Sequence, residues 1–408
     1  VALLKDSIKK TYGNKGDKVV NMNIAAVDRT MDALKQVKYP ASWADAEDTE
    51  DKCAAGTCSC CSGEPDYITN VIRPILAQQG DKLPVSAFTA NGVVPLGSTA
   101  YEKRGVAIMV PRWIPENCIQ CNQCSFVCPH AAIRPYVATD EELKGAPASY
   151  VTIEGKGKAL AGLKYRMQVY AQDCQGCGSC FQTCPAKVKA LEMHPIEEEL
   201  KDQVPNLAFA ESHIGVKDDL MGRDTLMGSQ YQQPLLEFSG ACAGCGETPY
   251  AKLITQLFGE RMAIANATGC SSIWGASSPT VPYCTNKEGF GPTWGNSLFE
   301  DAAEFGYGIN VAYLQRRAKL LDLVNEALAG KLPADLKTAL ENWVANYDDA
   351  ELSKKYGDEA MGLLDQDAAD NNKVLFEIAH KSDMLTKKSV WVFGGDGWAY
   401  DIGYGGLD

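Results

Sequence analysis

The stretch that decides the fold of this chain reads Cys118-Ile-Gln-Cys121-Asn-Gln-Cys124-Ser-Phe-Val-Cys128-Pro129. The same spacing recurs in Cys174-Gln-Gly-Cys177-Gly-Ser-Cys180-Phe-Gln-Thr-Cys184-Pro185. In such a run, the first three thiolates wrap one corner of a cubane iron–sulfur cluster, and the fourth, before the proline, reaches a neighbouring cluster. Each copy of the motif would therefore give three ligands to one cluster and one ligand to the other.

This exchange of ligands predicts two [4Fe–4S] clusters within one small α+β domain. The first cluster would be held by Cys118, Cys121, Cys124 and Cys184, and the second by Cys128, Cys174, Cys177 and Cys180. Zinc is the alternative metal, but zinc sites group cysteines as two separated pairs. Three closely spaced cysteines followed by Cys-Pro therefore favour iron–sulfur clusters over zinc. Two such clusters in one domain are typical of proteins that transfer electrons one at a time.

The composition of the whole chain is that of an ordinary folded protein. The chain is 45% hydrophobic and 22% charged, which excludes a mainly disordered protein. Its 408 residues are enough for two or three domains. A net charge of −13 argues against a broad surface for nucleic acid or anionic membranes, and no apolar run is long enough to cross a bilayer. Without a secretory signal, the 16 cysteines are expected to be reduced.

A second kind of cysteine site follows downstream, where Cys242-Ala-Gly-Cys245 precedes a separate Cys270. Three thiols suit a third cluster with a fourth ligand elsewhere, and a zinc site closed by Cys284 is the alternative. Near the end of the chain, an apolar strand at 389–393 leads into Gly394-Gly-Asp396-Gly. Thiamine diphosphate enzymes begin their Mg²⁺-diphosphate site in this way, although a plain turn after a buried strand uses the same residues.

Taken together, these motifs resemble an internal fragment of the pyruvate:ferredoxin (flavodoxin) oxidoreductases, the family of thiamine-dependent 2-oxoacid oxidoreductases. The pyruvate branch fits best because one chain carries both the ferredoxin-like insert and the thiamine domain. The resemblance covers most of the chain from about residue 84 onward. The matching stretches are Pro84-Val-Ser-Ala-Phe, Tyr101-Glu-Lys-Arg-Gly, 113–135, 240–250, 267–275, 289–308 and 394–408.

The resemblance implies oxidative decarboxylation of pyruvate to acetyl-CoA, with pyruvate and coenzyme A as substrates and ferredoxin or flavodoxin as electron acceptor. The implied cofactors are three [4Fe–4S] clusters, thiamine diphosphate and Mg²⁺. Cys242, Cys245 and Cys270 would hold the third cluster, whose fourth ligand would lie beyond Asp408. The other implied contacts are Glu247 and Cys270 facing thiamine diphosphate, Asp396 binding Mg²⁺, and Gly397, Trp398 and Ala399 lining the diphosphate.

The expected fold is an α+β ferredoxin-like 2[4Fe-4S] domain followed by a partial α/β thiamine-diphosphate-binding domain. Residues 1–50 are expected to be the tail of an upstream, coenzyme-A-binding-like domain, and 51–110 a linker and small connecting domain with a Cys-rich loop. The ferredoxin-like domain would span 111–215, and the thiamine domain, truncated at its C-terminus, 216–408. Catalytic residues are expected in domains that this stretch lacks, so the chain alone should be inactive.

Hydrophobic periodicity supplies the expected secondary structure. It predicts a helix around 22–34, a polar irregular stretch from 196 to about 234, helices over 310–328, 334–347 and 358–383, and a strand over 389–393. The last three helices are expected to serve packing or an oligomer surface. The region of Trp274, Trp294 and Phe299 is expected to be core, and all four histidines structural.

Two features stay open at this point. A basic stretch is either a solvated face or a docking patch for an acidic ferredoxin, and consists of Lys156, Lys158, Lys164, Arg166, Lys187 and Lys189. A cysteine-rich loop is either a linker insertion, a metal site or a regulatory disulfide, and contains Cys53, Cys58, Cys60 and Cys61.

Two alternative functions remain beside the leading one. A non-catalytic electron-transfer subunit would have two clusters and zinc at the third site, giving about eight iron atoms instead of about twelve. An NADP-linked form of the same enzyme would carry a flavin reductase downstream. A homodimer is expected, with no nucleic acid or membrane partner. The expected location is cytoplasmic, or an anaerobic organelle or plastid if the source is eukaryotic.

Overall fold

The structure is a computed structural model that describes residues 1–45, 63–364, 372–395 and 397–401. It divides into two compact units, 1–55 and 56–408. In the first unit, helices α1 (Ala2–Tyr12) and α2 (Asp17–Ala33) are joined by an ion pair between Lys5 and Asp28. Helix α2 confirms the helix predicted around 22–34. The cysteines at 53, 58, 60 and 61 lie outside the described residues.

The second unit contains the strands and most of the helices. Its strands are β1 (Met109–Trp113), β2 (Ile133–Ala138), β3 (Ile153–Glu154), β4 (Lys164–Val169), β5 (Leu191–Pro195), β6 (Met262–Asn266), β7 (Thr293–Asn296) and β8 (Ser389–Phe393). Its helices are α3 (Arg73–Leu76), α4 (Gln123–Phe126), α5 (Ser179–Thr183), α6 (Ile196–His213), α7 (Leu226–Ser229), α8 (Thr248–Phe258), α9 (Cys270–Ser272), α10 (Ala302–Ala329), α11 (Ala334–Ala345), α12 (Ala350–Leu363) and α13 (Lys373–His380).

Two small antiparallel sheets hold the paired cysteine motifs. One has the strand order β2-β4-β3, and the other pairs β1 with β5. Strand β4 is buried from Tyr165 to Val169, and its side chains form one hydrophobic core with Ile133 and Leu191. Cysteines of both motifs pack against this core. The arrangement agrees with the ferredoxin-like α+β domain expected from the sequence.

Helix α6 corrects the prediction of an irregular polar stretch beyond residue 196. It runs from Ile196 to His213 with Pro205 inside it. Proline removes one backbone hydrogen bond, but Phe209 and Ala210 on the same helix are buried and anchor it against the domain. The prediction was wrong because the proline and the high charge of the segment hid its buried face.

A three-stranded parallel sheet, ordered β7-β6-β8, lies in the second half of the chain. The central strand β6 is buried along its whole length, as expected for a strand covered on both faces. Helix α10 packs against it, and Gly306 meets Val392 of β8 so closely that no Cβ fits. Strand β8 confirms the strand predicted over 389–393. An α/β region is therefore present, as expected.

Helices α10 to α13 enclose a separate hydrophobic core around Leu320, Leu340 and Trp343. The buried Arg317 guanidinium donates to the backbone oxygens of Met384, at 2.7 Å, and Leu385, at 3.0 Å. The predictions of helices over 310–328 and 334–347 are confirmed by α10 and α11. The single helix predicted over 358–383 was wrong, since α12 and α13 are two helices. No helix among the described residues has both the length and the apolar character needed to span a bilayer.

Candidate iron–sulfur and cofactor site

The two cysteine motifs form loops of the same shape. Gln120 and Asn122 have positive φ angles of 64° and 59°, and the equivalent Gly176 and Gly178 have 69° and 75°. Glycine adopts this left-handed conformation readily, whereas other L-residues need compensation. The two motifs therefore share their backbone conformation as well as their cysteine spacing. In the first motif, two non-glycine residues must be held in the left-handed conformation.

Hydrogen bonds supply that compensation in the first loop. Gln120 and Asn122 are both only 1% exposed. Gln120 Oε1 accepts from the backbone N–H of Lys156 at 2.8 Å. Asn122 Nδ2 donates to Met227 O at 3.1 Å, and its Oδ1 accepts from the Tyr165 hydroxyl at 2.9 Å. The first loop is therefore fixed by contacts to three other segments.

The loops and the helices that follow them surround two cavities. The first cysteine cavity is lined by Cys118, Cys121, Cys124 and Cys184. The second cysteine cavity is lined by Cys128, Cys174, Cys177 and Cys180. Each cavity thus receives three cysteines from one motif and the fourth from the other. These are the two sets of four that the spacing predicted as cluster ligands.

The chemistry of both cavities fits a cubane cluster. Backbone N–H groups point at cysteine sulfurs, from Ala132 to Cys128 at 3.3 Å, from Gly176 to Cys174 at 3.4 Å, and from Ala190 to Cys184 at 3.5 Å. Burial raises the pKa of the Cys174 thiol to about 12 and also raises the pKa values of Cys124 and Cys180. Buried thiols of this kind ionise when a metal supplies the positive charge.

The third cysteine site consists of Cys242 and Cys245, on the loop before helix α8, and Cys270, which begins the short helix α9 after its own loop. Cys242 and Cys270 are exposed, and Cys245 is half-buried. The loops meet where Trp274 Nε1 donates to Glu247 Oε2 at 3.3 Å. Three thiols on two segments joined in this way fit the donor set of a cluster with a further ligand from another segment. Cys284 is placed elsewhere, since its buried thiol lies 3.5 Å from Pro234 O.

The third cysteine site lies beside the second cysteine cavity. A Cβ on Gly244 would meet Cys177 Cβ at 3.7 Å. The buried His130 lines the second cysteine cavity, and its ring nitrogens lie 3.2 Å from Ser239 O and from Cys242 O. His130 was expected to be structural and not a ligand, and these contacts place it between the two sites.

Two of the segments expected to face thiamine diphosphate follow neighbouring strands of the parallel sheet. Cys270 follows strand β6, and Gly394 and Gly395 follow the neighbouring β8, so both segments leave the same edge. Open α/β sheets bind ligands at this edge. Trp398 is buried with Ala399 partly buried beside it, in a cluster with Ala267 and Ala302. Asp396, the expected Mg²⁺ ligand, lies outside the described residues.

Glu247 begins helix α8 at the rim of the third cysteine site. Burial raises the pKa of its carboxyl group, and the hydrogen bond from Trp274 partly opposes that shift. Trp274 itself is buried in the core with Trp294 packed against it, and Phe299 packs with Trp398, so the aromatic region is core as expected. Glu247 therefore has a fixed position close to Cys245.

Two sets of functional residues were missed from the sequence. Lys252 of α8 is 1% exposed, and its ammonium group donates to the backbone oxygens of Ser125 and Phe126, between two cluster cysteines. Lys252 shares the buried face of α8 with Thr248 and Ala251, and this spacing is the signal that would have found it. Lys103 and Arg104 also contact the segments that lead into the cysteine loops. They lie in the matching stretch Tyr101-Glu-Lys-Arg-Gly, but that match assigned them no role.

The basic stretch is smaller than expected. Arg166 is buried, with its guanidinium 4.5 Å from the ring centroid of Tyr150, and Lys164 is paired with Glu154. Lys156 Nζ donates to Cys118 O at 2.8 Å, and Lys189 Nζ donates to Cys184 O at 2.8 Å. Lys158 and Lys187 are exposed, and each lies two residues in the sequence from one of these two lysines.

A site for a single metal ion needs several ligand side chains that converge on one point. Within 1–45, 63–364, 372–395 and 397–401, no three side chains of His, Cys, Asp or Glu converge on one point as a lone ion requires. The eight cysteines of the paired motifs instead surround the two cavities described above.

Comparison with protein-family models gives three matches. Residues 117–188 match a 4Fe-4S dicluster domain, and residues 316–371 match the insertion domain of pyruvate-ferredoxin oxidoreductase. Residues 57–107 match EKR, a domain of unknown function. The dicluster match covers both cysteine motifs. The insertion domain covers most of the helices that the sequence analysis treated only as packing and oligomer surface.

Curated relatives match along the whole chain. It is 57% identical over 412 residues to pyruvate:ferredoxin oxidoreductase of Moorella thermoacetica, which covers all of this chain and 34% of that protein. It is 45% identical to pyruvate-flavodoxin oxidoreductase of Klebsiella pneumoniae, over 99% of this chain and 34% of that protein. A mitochondrial pyruvate dehydrogenase (NADP⁺) of Euglena gracilis is 48% identical over all of this chain and 22% of its own length. The chain thus spans about a third or less of these relatives, and the resemblance seen in the sequence is confirmed.

Proposed function

We propose that this chain, which belongs to the pyruvate:ferredoxin (flavodoxin) oxidoreductases, carries electrons from a thiamine diphosphate site to the surface of that enzyme. One observation carries the proposal: there are two cavities, each lined by four cysteines exchanged between two motifs, and the second of them lies next to a third cysteine site. The reaction of the complete enzyme would be the oxidative decarboxylation of pyruvate to acetyl-CoA, with coenzyme A as the second substrate.

Three [4Fe–4S] clusters would pass single electrons one at a time. The first and second cysteine cavities would hold one cluster each, through the eight cysteines that line them. Cys242, Cys245 and Cys270 would hold the third, with a fourth ligand from another segment. The apolar surroundings of the cavities keep water away from the metal and so lower the cost of moving charge between sites.

Thiamine diphosphate would bind at the carboxyl edge of the parallel sheet and supply the carbanion chemistry of decarboxylation. Glu247 and Cys270 would face it, and Gly397, Trp398 and Ala399 would line the diphosphate. Asp396 would bind Mg²⁺. The support for this part is the position of Cys270 and of Gly394 and Gly395 after neighbouring parallel strands.

The order of the three sites defines the path. The third cysteine site lies against the second cysteine cavity through Gly244 and Cys177. The two cavities in turn share ligands from both motifs, so they are neighbours. Electrons would therefore enter at the third site, cross the second cavity and leave from the first.

The exit would be the surface over the first cysteine cavity. Ile119, which lines this cavity, is 51% exposed, and Val188, between Lys187 and Lys189 in the sequence, is 66% exposed. An apolar centre with a basic rim suits an acidic ferredoxin or flavodoxin, because opposite charge speeds and orients encounter.

The remaining expectations belong to the same proposal. The proposed domain boundaries are at 51, 111 and 216, with both paired cysteine motifs inside the domain that begins at 111. The proposed assembly is a homodimer. The 12 cysteines among the described residues are free thiols, which suits a reducing compartment such as the cytoplasm.

The test uses the product of the complete reading frame, purified without oxygen and analysed for iron. We expect about twelve iron atoms and reduction of ferredoxin that requires both pyruvate and coenzyme A. A Cys284→Ala variant should keep all the iron, because this thiol is not at a cluster. About eight iron atoms would support the two-cluster electron-transfer alternative instead.

A second candidate is the NADP-linked form of the enzyme. It is favoured by the two pyruvate dehydrogenases (NADP⁺) that match all of this chain, from Euglena gracilis and Cryptosporidium parvum, at 48% and 41% identity. The same assay separates the two forms. NADP⁺ reduction without added ferredoxin would select the NADP-linked form, and ferredoxin reduction alone would select the first.

A further inference from the structure

The segment Glu102-Lys103-Arg104 lies inside the match to the EKR domain of unknown function. Its three charged side chains contact three different parts of the second unit. Two of those parts are the loop that leads into Cys174 and the loop that leads into Cys242. These loops belong to the second cysteine cavity and to the third cysteine site, between which an electron would have to pass.

Lys103 holds the first of these loops. Its ammonium group donates to Asp173 Oδ2 at 2.7 Å, and Asp173 immediately precedes Cys174. The Asp173 side chain is only 3% exposed, whereas the Lys103 side chain is 37% exposed, so a buried carboxylate is paired with a lysine that reaches it from the surface. The same ammonium lies 5.1 Å from the centroid of the Phe238 ring, one residue before Ser239. Lys103 therefore contacts both loops.

Arg104 and Glu102 hold the second loop. Arg104 Nη1 donates to Ser239 O at 3.2 Å, three residues before Cys242. The guanidinium is paired with Glu102, whose Oε1 accepts from the Thr280 hydroxyl at 2.8 Å. Since Glu102 is fixed from two sides, Arg104 has a defined direction towards the loop of Cys242.

The backbone after the triplet completes the contact with the first loop. Gly105 N donates to Gln172 O at 2.8 Å, two residues before Cys174. Gly176, within the cysteine loop, lies so close to Ala107 and Met109 that a Cβ would come within 3.0 Å of Met109 O. The stretch 102–109 thus covers the loop of the second cysteine cavity along its length.

We propose that segment 102–104 sets the spacing between the second cysteine cavity and the third cysteine site, with Lys103 and Arg104 as positioning residues. The inference rests on the proposed function, because it takes both sites to hold clusters. Residues outside the ligand set orient the ligands, and losing them typically costs about 10–100-fold in metal affinity or activity. Here we expect a lower rate of electron transfer between the two sites, with a cluster still bound at each.

The test uses the complete, cluster-loaded enzyme and the variants Lys103→Met and Arg104→Met. With dithionite-reduced protein, we expect the magnetic splitting between the two cluster spins to weaken in electron paramagnetic resonance spectra. With pyruvate and coenzyme A, reduction of the third cluster should keep its rate, and onward reduction of ferredoxin should slow by about 10–100-fold. Iron content should equal that of the unaltered enzyme.

Lys103→Arg keeps the charge and should restore much of the splitting and rate. Lys144→Met removes an exposed ion pair with Glu141 and should change neither. Hydrogen exchange gives a readout that needs no third cluster: amides of 172–178 and 239–246 should exchange faster in both methionine variants, with strand β4 unchanged.

Unaltered splitting and unaltered exchange at both loops would overturn the proposal. So would loss of iron from the methionine variants, since the segment would then retain a cluster and not set a spacing. Failure of the proposed function shows separately, as an unaltered enzyme that takes no electrons from pyruvate. Dithionite reduction and hydrogen exchange still decide the role of segment 102–104 in that case.

Discussion

Lys252 shows what a single buried side chain contributes to a pair of redox sites. Its ammonium group has the carbonyl oxygens of Ser125 and Phe126 as partners, at the end of helix α4. Burial lowers its pKa to about 8, and the nearby Cys128 and Cys124 oppose that shift. A cluster becomes more negative on reduction, so a positive charge between the two cavities favours the reduced state.

Replacing Lys252 by methionine should therefore lower the midpoint potentials of both clusters of the dicluster domain. It should also cost about 1–3 kcal/mol of stability, because two buried carbonyl groups lose their donor. Potentiometric titration followed by electron paramagnetic resonance measures the first effect, and thermal unfolding under argon the second. Lys331→Met, at an exposed site, serves as control. Unchanged potentials in Lys252→Met would contradict the electrostatic role.

Gly178 gives a second prediction at this scale, on backbone conformation alone. Its φ is 75°, and an added Cβ would meet nothing within 4 Å. Gly178→Ala should cost about 1–2 kcal/mol from left-handed strain. Gly178→Asn should cost less, since asparagine tolerates this conformation and occupies the equivalent position as Asn122. Rates of iron release to a chelator compare the three proteins. Equal rates for alanine and asparagine would refute the assignment to strain.

Some contacts of individual residues could be predicted from the sequence, and others could not. The grouping of eight cysteines around two cavities followed from spacing, because that pattern has a fixed geometrical meaning. The partners of Lys252 and Arg104 could not be predicted, because they are backbone oxygens about 130 residues away in the chain, although the helical spacing of Lys252 does mark it as buried. No local pattern encodes such a contact.

At the scale of elements, helix α10 owes its position to one close approach. Gly306 faces Val392 with no room for a Cβ, whereas Gly308 on the same helix is exposed with nothing within 4 Å. Gly306→Ala should destabilise the enzyme by about 1–3 kcal/mol through overpacking. Gly308→Ala should stabilise it by up to about 1 kcal/mol from helix propensity. Thermal unfolding of the two variants tests the pair, and a loss of stability in both would argue against the packing explanation.

Elements with simple patterns were predicted well. Strand β8 is a continuous apolar run before glycines, and α11 has clear periodicity, so both agree with expectation. Helix α6 was missed because Pro205 is normally a helix breaker, although Asn206, Phe209 and Ala210 after it in the helix are buried. The single helix predicted over 358–383 corresponds to parts of two helices, α12 and α13. Both have apolar residues at helical spacing, and periodicity alone does not show where one helix ends and the next begins.

For the whole molecule, the charged rim of the first cysteine cavity links structure to a partner. Lys158→Glu with Lys187→Glu should raise the apparent KM for an acidic ferredoxin at low salt, with kcat little changed. The difference should shrink at high salt, because exposed charges are screened. Lys331→Glu, in the helical region, is the matched control. Equal KM values for the double variant and the unaltered enzyme would remove this surface from the exit path.

The central claim is the direction of the electron path through three cysteine sites, and one measurement tests it most directly. The double variant Cys121→Ala, Cys124→Ala of the complete enzyme would lose the cluster of the first cysteine cavity. After one turnover with pyruvate and coenzyme A, freeze-quenched samples should show the clusters of the third site and second cavity reduced, with ferredoxin still oxidised. Ferredoxin reduced at the unaltered rate would contradict the path.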